Sequence, residues 1–423
     1  MNEKLLQFIW QHQYFNTQSL ISTNNEQIKI INKGNYNTNQ GPDFINATIV
    51  INEVKLIGNI ELHVQASDFL KHNHQQDANY NNLVLHVVWE NNLSQTVLPN
   101  IPTLELQDKV ASTLLQHYST LMENSNHLPC SHFLPALSEI GWLAWKESLL
   151  AARLTKKANE VLNTFYNAKS NWEETFWQLL AYNFGLKLNA DLFKTIAKHV
   201  SNTTLSKHKN NLIQIEALLL GQANLLNNIS DESYPKMLQK EYLFLKKKHQ
   251  LVDIEIQPMF LRMRPANFPT IRLAQLASLI QQSNHLFSYI KEIETIEQLK
   301  KMLHGTANDY WHYHYTLQDE ASPKLKPKIL GESMVYNLII NTIAPVLFAY
   351  GNYTKEDNYK EKAIHFLQQI PSENNSIITN WKNEKIEAKN ALDSQALIEL
   401  FKNYCTPKKC LDCAVGNKIM RTK

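Results

Sequence analysis

A chain of 423 residues with 43% hydrophobic and 19% charged residues has the balance of a soluble globular protein and the length for two or three domains. Its formal net charge of +3 implies no partner by itself, but the charge is unevenly spread: residues 1–110 hold six lysines, no arginine and ten acids, whereas residues 401–423 hold six basic residues and one acid. No segment reads as a secretory signal or a membrane span. The start carries Glu3 and Gln7 around its short apolar run, and the most apolar stretch, residues 337–351, is interrupted by Asn341, Thr342 and Pro345. The expectation is a cytoplasmic protein with no membrane partner, its oligomeric state left open.

In chain order, residues 2–15 predict a short helix with Leu5, Leu6, Ile9 and Trp10 on one side. A β-rich region follows. "EQIKIIN" alternates, "NKGNYNTNQGPD" is turn chemistry, and "FINATIVI", "VKLIGNIELHV", "NLVLHVVWE" and "IPTLELQ" read as strands. Beyond about residue 110 the period becomes helical, as in "EIGWLAWKESLLAARLTKKANEVLNTFY", "WEETFWQLLAYNFG" and "TIRLAQLASLIQQSNHLFSYIKEI". The reading is an α+β protein with an N-terminal helix-plus-mixed-sheet domain at 1–125 and a larger all-helical domain at 126–423. The boundary is placed around "NHLPCSHFLP".

The strand containing "GNIELHV" carries the first candidate site. Glu61, His63 and Gln65 are two residues apart and share one face of a strand, with Ile60, Leu62 and Val64 on the other. Asp43, in "GPDF" at the entry to the preceding strand, could join them. Two acids on adjacent strands can converge on a hard divalent cation such as Mg²⁺ or Mn²⁺, and a third group two residues on can orient or deprotonate water. Phosphodiester hydrolysis requires that combination. Register opposes it: in a regular hairpin Asp43 lies on the face opposite Glu61, so the site needs a bulge or turn at Pro42–Phe44. The alternative is a turn residue capping its own backbone. Asp68, His72, His74 and Asp77 crowd the next loop, as extra ligands or as an ordinary polar loop. His86 reads as a strand residue satisfied locally.

"GPDF" with "ELH" resembles the PD-(D/E)xK nuclease pattern over roughly residues 1–110, with His63 where the pattern has lysine. The resemblance implies a restriction-endonuclease-like fold, metal ligation by Asp43 and Glu61, a catalytic set extended by His63 and Gln65, and nucleic acid as partner. "GPDFINA", "GNIELHVQASDF", "YNNLVLHVVWE", "RMRPANFPTIRLAQLA" and "YCTPKKCLDCAVG" together look like a full-length bacterial family of unknown function, which implies an architecture and no activity.

Two further motifs stand out. Cys405, Cys410 and Cys413 lie within nine residues, and Cys130 is the only other thiol. Clustered thiols in a cytosolic protein suit Zn²⁺ or an iron–sulfur cluster, with Cys130, His127 or His132 as fourth ligand. Some PD-(D/E)xK nucleases hold such a cluster, although here every nuclease-like residue precedes Cys130. The other reading is four reduced, partly buried thiols. In "RMRPANFPTIR", Arg262, Arg264 and Arg272 crowd the expected start of a helix at Pro269, a place suited to phosphate. Alternatively they pair with acids such as Glu216. The function expected is a metal-dependent nuclease or nuclease-like nucleic-acid-processing protein; the rival is a non-enzymatic nucleic-acid-binding or scaffold protein with a degenerate nuclease fold.

Overall fold

A computed structural model describes residues 1–72, 77–93, 101–282 and 285–422. The chain forms two compact units. The first comprises Met1–Leu143, Asn383–Lys385 and Leu400–Lys423; the second comprises Ala144–Lys382 and Ile386–Glu399.

The first unit opens with helix α1, Glu3–His12. Asn2 caps it by accepting from the Leu5 amide at 2.9 Å, Glu3 complements the dipole in the first turn, and Gln13 ends it in the left-handed region at φ 55°. Leu5, Leu6, Phe8, Ile9 and Trp10 are buried on the face toward the sheet. Each such fully buried side chain contributes about 1.5–3 kcal/mol. The Trp10 indole does not strand its polar atom there; its Nε1–H donates to the Lys33 carbonyl at 3.1 Å.

The strands are β1 Leu20–Ile21, β2 Gln27–Asn32, β3 Asn35–Tyr36, β4 Phe44–Ile51, β5 Val54–Gln65, β6 Leu83–Glu90 and β7 Thr103–Glu105. They make one mixed sheet in the order β1-β2-β4-β5-β6-β7, with β3 also paired to β4. β2, β4 and β5 run antiparallel, as short turns allow, whereas β6 is parallel to β5 and β7 to β6. The crossover between β5 and β6 carries the short helix α2, Asp68–Lys71. Gly58 permits the junction: a Cβ there would stand 2.5 Å from the Asn82 carbonyl oxygen and overlap the Val84 side chain.

Helix α3, Ser112–Glu123, follows the sheet, and the continuous part of this unit runs on to Leu143. The C-terminal segment then returns to it through the helix Ala414–Arg421. Tyr14 donates its hydroxyl to Asn417 Oδ1 at 2.8 Å, and the His117 ring meets the Ile419 carbonyl at 3.1 Å. Residues 400–423 therefore belong with the sheet, not with the helical region that precedes them, and the first unit extends past residue 125 to Leu143. Helical periodicity reports an element's type and not its partner, which is why the sequence division at 125/126 differs.

The second unit is helical. Among the described residues no strand follows β7; there are only two isolated bridges, Thr306 with Ile329 and Pro371 with Asn390. The fold is therefore α+β. Pro269 begins the helix Pro269–Gln282, as its missing amide favours. One helical run, Glu332–Thr354, is long and apolar enough to cross a membrane by length and composition, and most of its apolar window is buried. Glu216 lies at 0% exposure in this core, accepting from the Tyr234 hydroxyl and, at 3.2 Å, from Trp311 Nε1.

Two stability measurements test these placements. Gly58→Ala should lower the unfolding free energy by about 1–3 kcal/mol in denaturant titrations, because the methyl meets backbone as well as a side chain. Burial holds the Glu216 carboxyl up at about 7, against 4.5 for the free side chain. Between those values the folded state binds the extra proton, so stability falls as pH rises and the loss is complete above the folded value. Glu216→Gln, which keeps a carbonyl acceptor, should gain on the wild type between pH 5 and pH 8; a pH-independent difference would refute the burial argument.

Candidate functional site

Asp43 reaches the side of Glu61 through an irregularity in the hairpin. From Ala47 to Ile51 β4 pairs with β5 in one register, Ala47 opposite Gly58, but Phe44 lies opposite Ile60. β4 thus holds one residue more than β5 across Ile45 and Asn46, and Asn46 takes the left-handed conformation at φ 59°. The extra residue reverses the alternation. Phe44 joins Ala47, Ile49 and Ile51 in the core in place of Ile45, and the preceding Asp43 turns toward Glu61. The bulge lies at Ile45–Asn46, one step beyond the Pro42–Phe44 position expected, and re-aims Asp43 all the same.

The two carboxylates are locked by backbone amides across the strand pair. Glu61 Oε2 accepts from the Asp43 amide at 3.0 Å, and Asp43 Oδ2 accepts from the Leu62 amide at 3.0 Å. Gln7, on α1, donates to Asp43 Oδ1 at 2.7 Å and accepts from the Tyr36 hydroxyl at 3.1 Å. Asp43 is half-buried and Glu61 buried. Burial is the main reason their carboxyls are pushed up, to about 7 for Asp43 and about 8 for Glu61; proximity to Asp43 pushes Glu61 up further, and the backbone amides pull both back.

His63 adjoins the pair, its Nε2 3.8 Å from Glu61 Oε1. It also joins a row of imidazoles: His63 Nδ1 lies 3.0 Å from His86 Nε2, and His63 Nε2 lies 3.3 Å from His72 Nδ1. A neutral His63 must donate to one neighbour and accept from the other, so the row has a direction. The parallel ladder places His86 directly opposite Glu61, and Phe69 of α2 packs on both His63 and His86. Burial raises the Tyr80 hydroxyl, and the nearby Glu61 and Asp43 carboxylates raise it further.

Gln65 is half-buried, and its backbone amide donates to Asp68 Oδ2 at 3.2 Å. Asp68 otherwise pairs with Lys71 at 2.6 Å, and Asp77 accepts from the Asn79 amide at 2.9 Å, so both serve their own loop. His74 lies outside the described residues. Gln7, Tyr36 and Tyr80 carry no sequence signal. His86 does, since an imidazole inside the near-continuous apolar run "LVLHVVW" requires a buried partner.

The remaining candidates are elsewhere. Cys130, Cys405, Cys410 and Cys413 are all buried in the first unit, while His127 and His132 are exposed. In the second unit Arg262 and Arg264 are exposed. Arg272 is not a surface cation: it is 8% exposed, its guanidinium donates to Gln275 at 2.9 Å and Asn267 at 2.6 Å, and burial lowers it to about 10. Glu216 accepts from Tyr234 and Trp311, not from these arginines. Among the described residues no group of three or more His, Cys, Asp or Glu side chains is placed to hold a metal ion.

A family model described as a protein of unknown function (DUF2851) matches residues 3–376. The chain belongs to this family. No curated protein and no solved structure matches it. The match runs through both units, so the carboxylate pair and most of the helical region lie within the family's extent.

A buried like-charged pair opposes folding, and its members need not be stabilising. Glu61→Gln keeps an acceptor for the Asp43 amide while removing one charge. In chelator-treated protein it should unfold at the same denaturant concentration as wild type or higher, by up to about 1 kcal/mol. A loss above about 2 kcal/mol would make the carboxylate structural.

Proposed function

We propose that this protein is a divalent-metal-dependent phosphodiesterase acting on nucleic acid. The observation that carries the reading is the crossed carboxylate pair, Asp43 and Glu61, with His63 beside it on the sheet. The surrounding layout supports it: a helix, three antiparallel strands, and a fourth strand parallel to the third after a crossover resemble the PD-(D/E)xK arrangement. Two adjacent buried carboxylates are a donor set suited to a hard cation, and Asp43 and Glu61 would hold it. Mn²⁺ fits better than Mg²⁺ where an imidazole stands close by, because it accepts nitrogen more readily. When bound, the ion supplies Lewis acidity toward a phosphoryl oxygen and a lowered pKa for water.

The chain's own groups do the rest. Gln7 and the Leu62 amide fix the orientation of Asp43, and the Asp43 amide fixes Glu61. His63 stands where the nuclease pattern has lysine and takes over its place as base, passing a proton along the row toward His72 or His86.

A second reading, nucleic-acid binding without cleavage, draws on one feature: His63 is only 1% exposed and engaged through both ring nitrogens. One assay separates the two. Purified protein with Mn²⁺ should cleave single- or double-stranded DNA or RNA, Glu61→Gln should reduce cleavage by at least about a hundredfold, and Mn²⁺ should raise the melting temperature of wild type but not of the variant. Binding without cleavage under every metal condition favours the second reading; neither binding nor cleavage rejects both.

A further inference from the structure

All four cysteines of this 423-residue chain lie in the first unit, although Cys130 is far from the other three in sequence. Cys130 follows α3, and Cys405, Cys410 and Cys413 lie in the C-terminal segment. Several contacts fold these stretches together within the first unit. Lys408 donates its ammonium to the Met122 carbonyl, the His117 ring meets the Ile419 carbonyl at 3.1 Å, and the same ring packs edge-on against Phe133 at 5.2 Å. The Asn124 side-chain amide donates to the Pro129 carbonyl at 3.0 Å and shapes the loop that presents Cys130.

The C-terminal thiols sit on a built turn. The Lys408 amide donates to the Cys405 carbonyl at 3.1 Å and the Lys409 amide to Tyr404 at 2.8 Å, with Lys408 in the left-handed region at φ 52°. The Cys413 amide donates to the Cys410 carbonyl at 3.3 Å, and the next residue starts the helix Ala414–Arg421. Gly416 allows that helix to lie against Cys410, whose carbonyl a Cβ would overlap.

None of the four forms a disulfide, and each is at most 8% exposed. Burial raises the Cys130, Cys405 and Cys410 thiols first, and neighbouring thiols raise them further: Cys413 and Cys410 act on Cys130, Cys130, Cys413 and Cys410 act on Cys405, and Cys413 acts on Cys410. Buried cysteines commonly serve as small apolar side chains. That role does not require a chain to bring every thiol it has into one unit, within electrostatic reach of one another, from segments far apart in sequence.

We propose that Cys130, Cys405, Cys410 and Cys413 are the ligands of a thiolate-held metal centre, an iron–sulfur cluster or a zinc ion. Four sulfurs complete either coordination set. The exposed His127 and His132 are not needed, and Lys408 and Lys409 provide positive charge beside the thiolates. Among the described residues, these four thiols included, no group of three or more His, Cys, Asp or Glu stands close enough to hold an ion as the side chains lie. Loading draws them together and releases their protons to solvent, so metal binding is coupled to the docking of the C-terminal segment. This site is separate from the carboxylate pair, and its readout is metal content, not cleavage.

The test is elemental analysis of the full chain purified without oxygen from cells supplied with iron and zinc. The expected result is either about four iron with matching acid-labile sulfide and broad visible absorption, or about one zinc per chain. Glu61→Gln should retain that metal in full. Cys405→Ser and Cys410→Ser should lose at least about nine-tenths of it, and stripping the wild type with a thiol reagent and chelator should lower its melting temperature. If the serine variants do not fold, the wild-type content and the stripping experiment decide. Metal far below one equivalent, with four thiols titrating as free on unfolding, overturns the proposal. Full metal in Cys130→Ser removes Cys130 from the set.

Discussion

Two carboxylates held inside a sheet by backbone amides across the strand pair are the constraint around which the first unit is arranged. Like charges in a low-dielectric interior repel, and burial alone disfavours their ionised forms. The fold holds them there through directed hydrogen bonds: the Asp43 amide to Glu61, the Leu62 amide to Asp43, and the Gln7 side chain from α1. Each needs the strand pair in one register. The bulge at Ile45–Asn46 sets that register on one side of Glu61, and Gly58 lets β6 approach on the other. Arrangements that hold such a pair against its own repulsion are typical of sites where a ligand or reaction supplies the compensating charge.

The return of the chain's end gives the same unit a second cluster of groups with no evident structural need. Tyr14, two residues past the end of α1, binds Asn417, while Gln7 within that helix binds Asp43. One short N-terminal helix thus serves the carboxylate site directly and has the cysteine-bearing segment docked close to its end. The mainly negative early sequence and the basic tail are therefore parts of one compact body, so the charge asymmetry along the chain is smaller in three dimensions than in one.

Several buried charged groups of the helical unit are held by side chains within that unit. Glu216 has Tyr234 and Trp311, Arg272 has Gln275 and Asn267, and Arg153 reaches Gln395 at 2.6 Å and Glu399 at 3.2 Å. Satisfied networks of this kind fix a unique packing at some cost in stability. Arg272 illustrates why residue type alone misleads. In sequence it is one of three arginines at a helix start, but it falls on a helical position facing the core and is consumed there, leaving Arg262 and Arg264 at the surface.

Local periodicity in the sequence determined the element types: the apolar face of α1, the alternation of the strands, the helix beginning at Pro269, and the shared face of Glu61 and His63. These follow from the backbone repeat, which any short window contains. The tertiary structure decided what sits beside that face. Asp43 joins it because one extra residue in β4 reverses the alternation, a cross-strand property that the strand's own pattern conceals. His86 joins it because β6 runs parallel to β5, and His72 because a short helix covers the junction. The docking of residues 400–423 on the first unit, and with it the convergence of Cys130 on Cys405, Cys410 and Cys413, depends on burial between segments far apart in the chain. No local pattern encodes such a pairing, because the free energy that selects it comes from surfaces that meet only after folding.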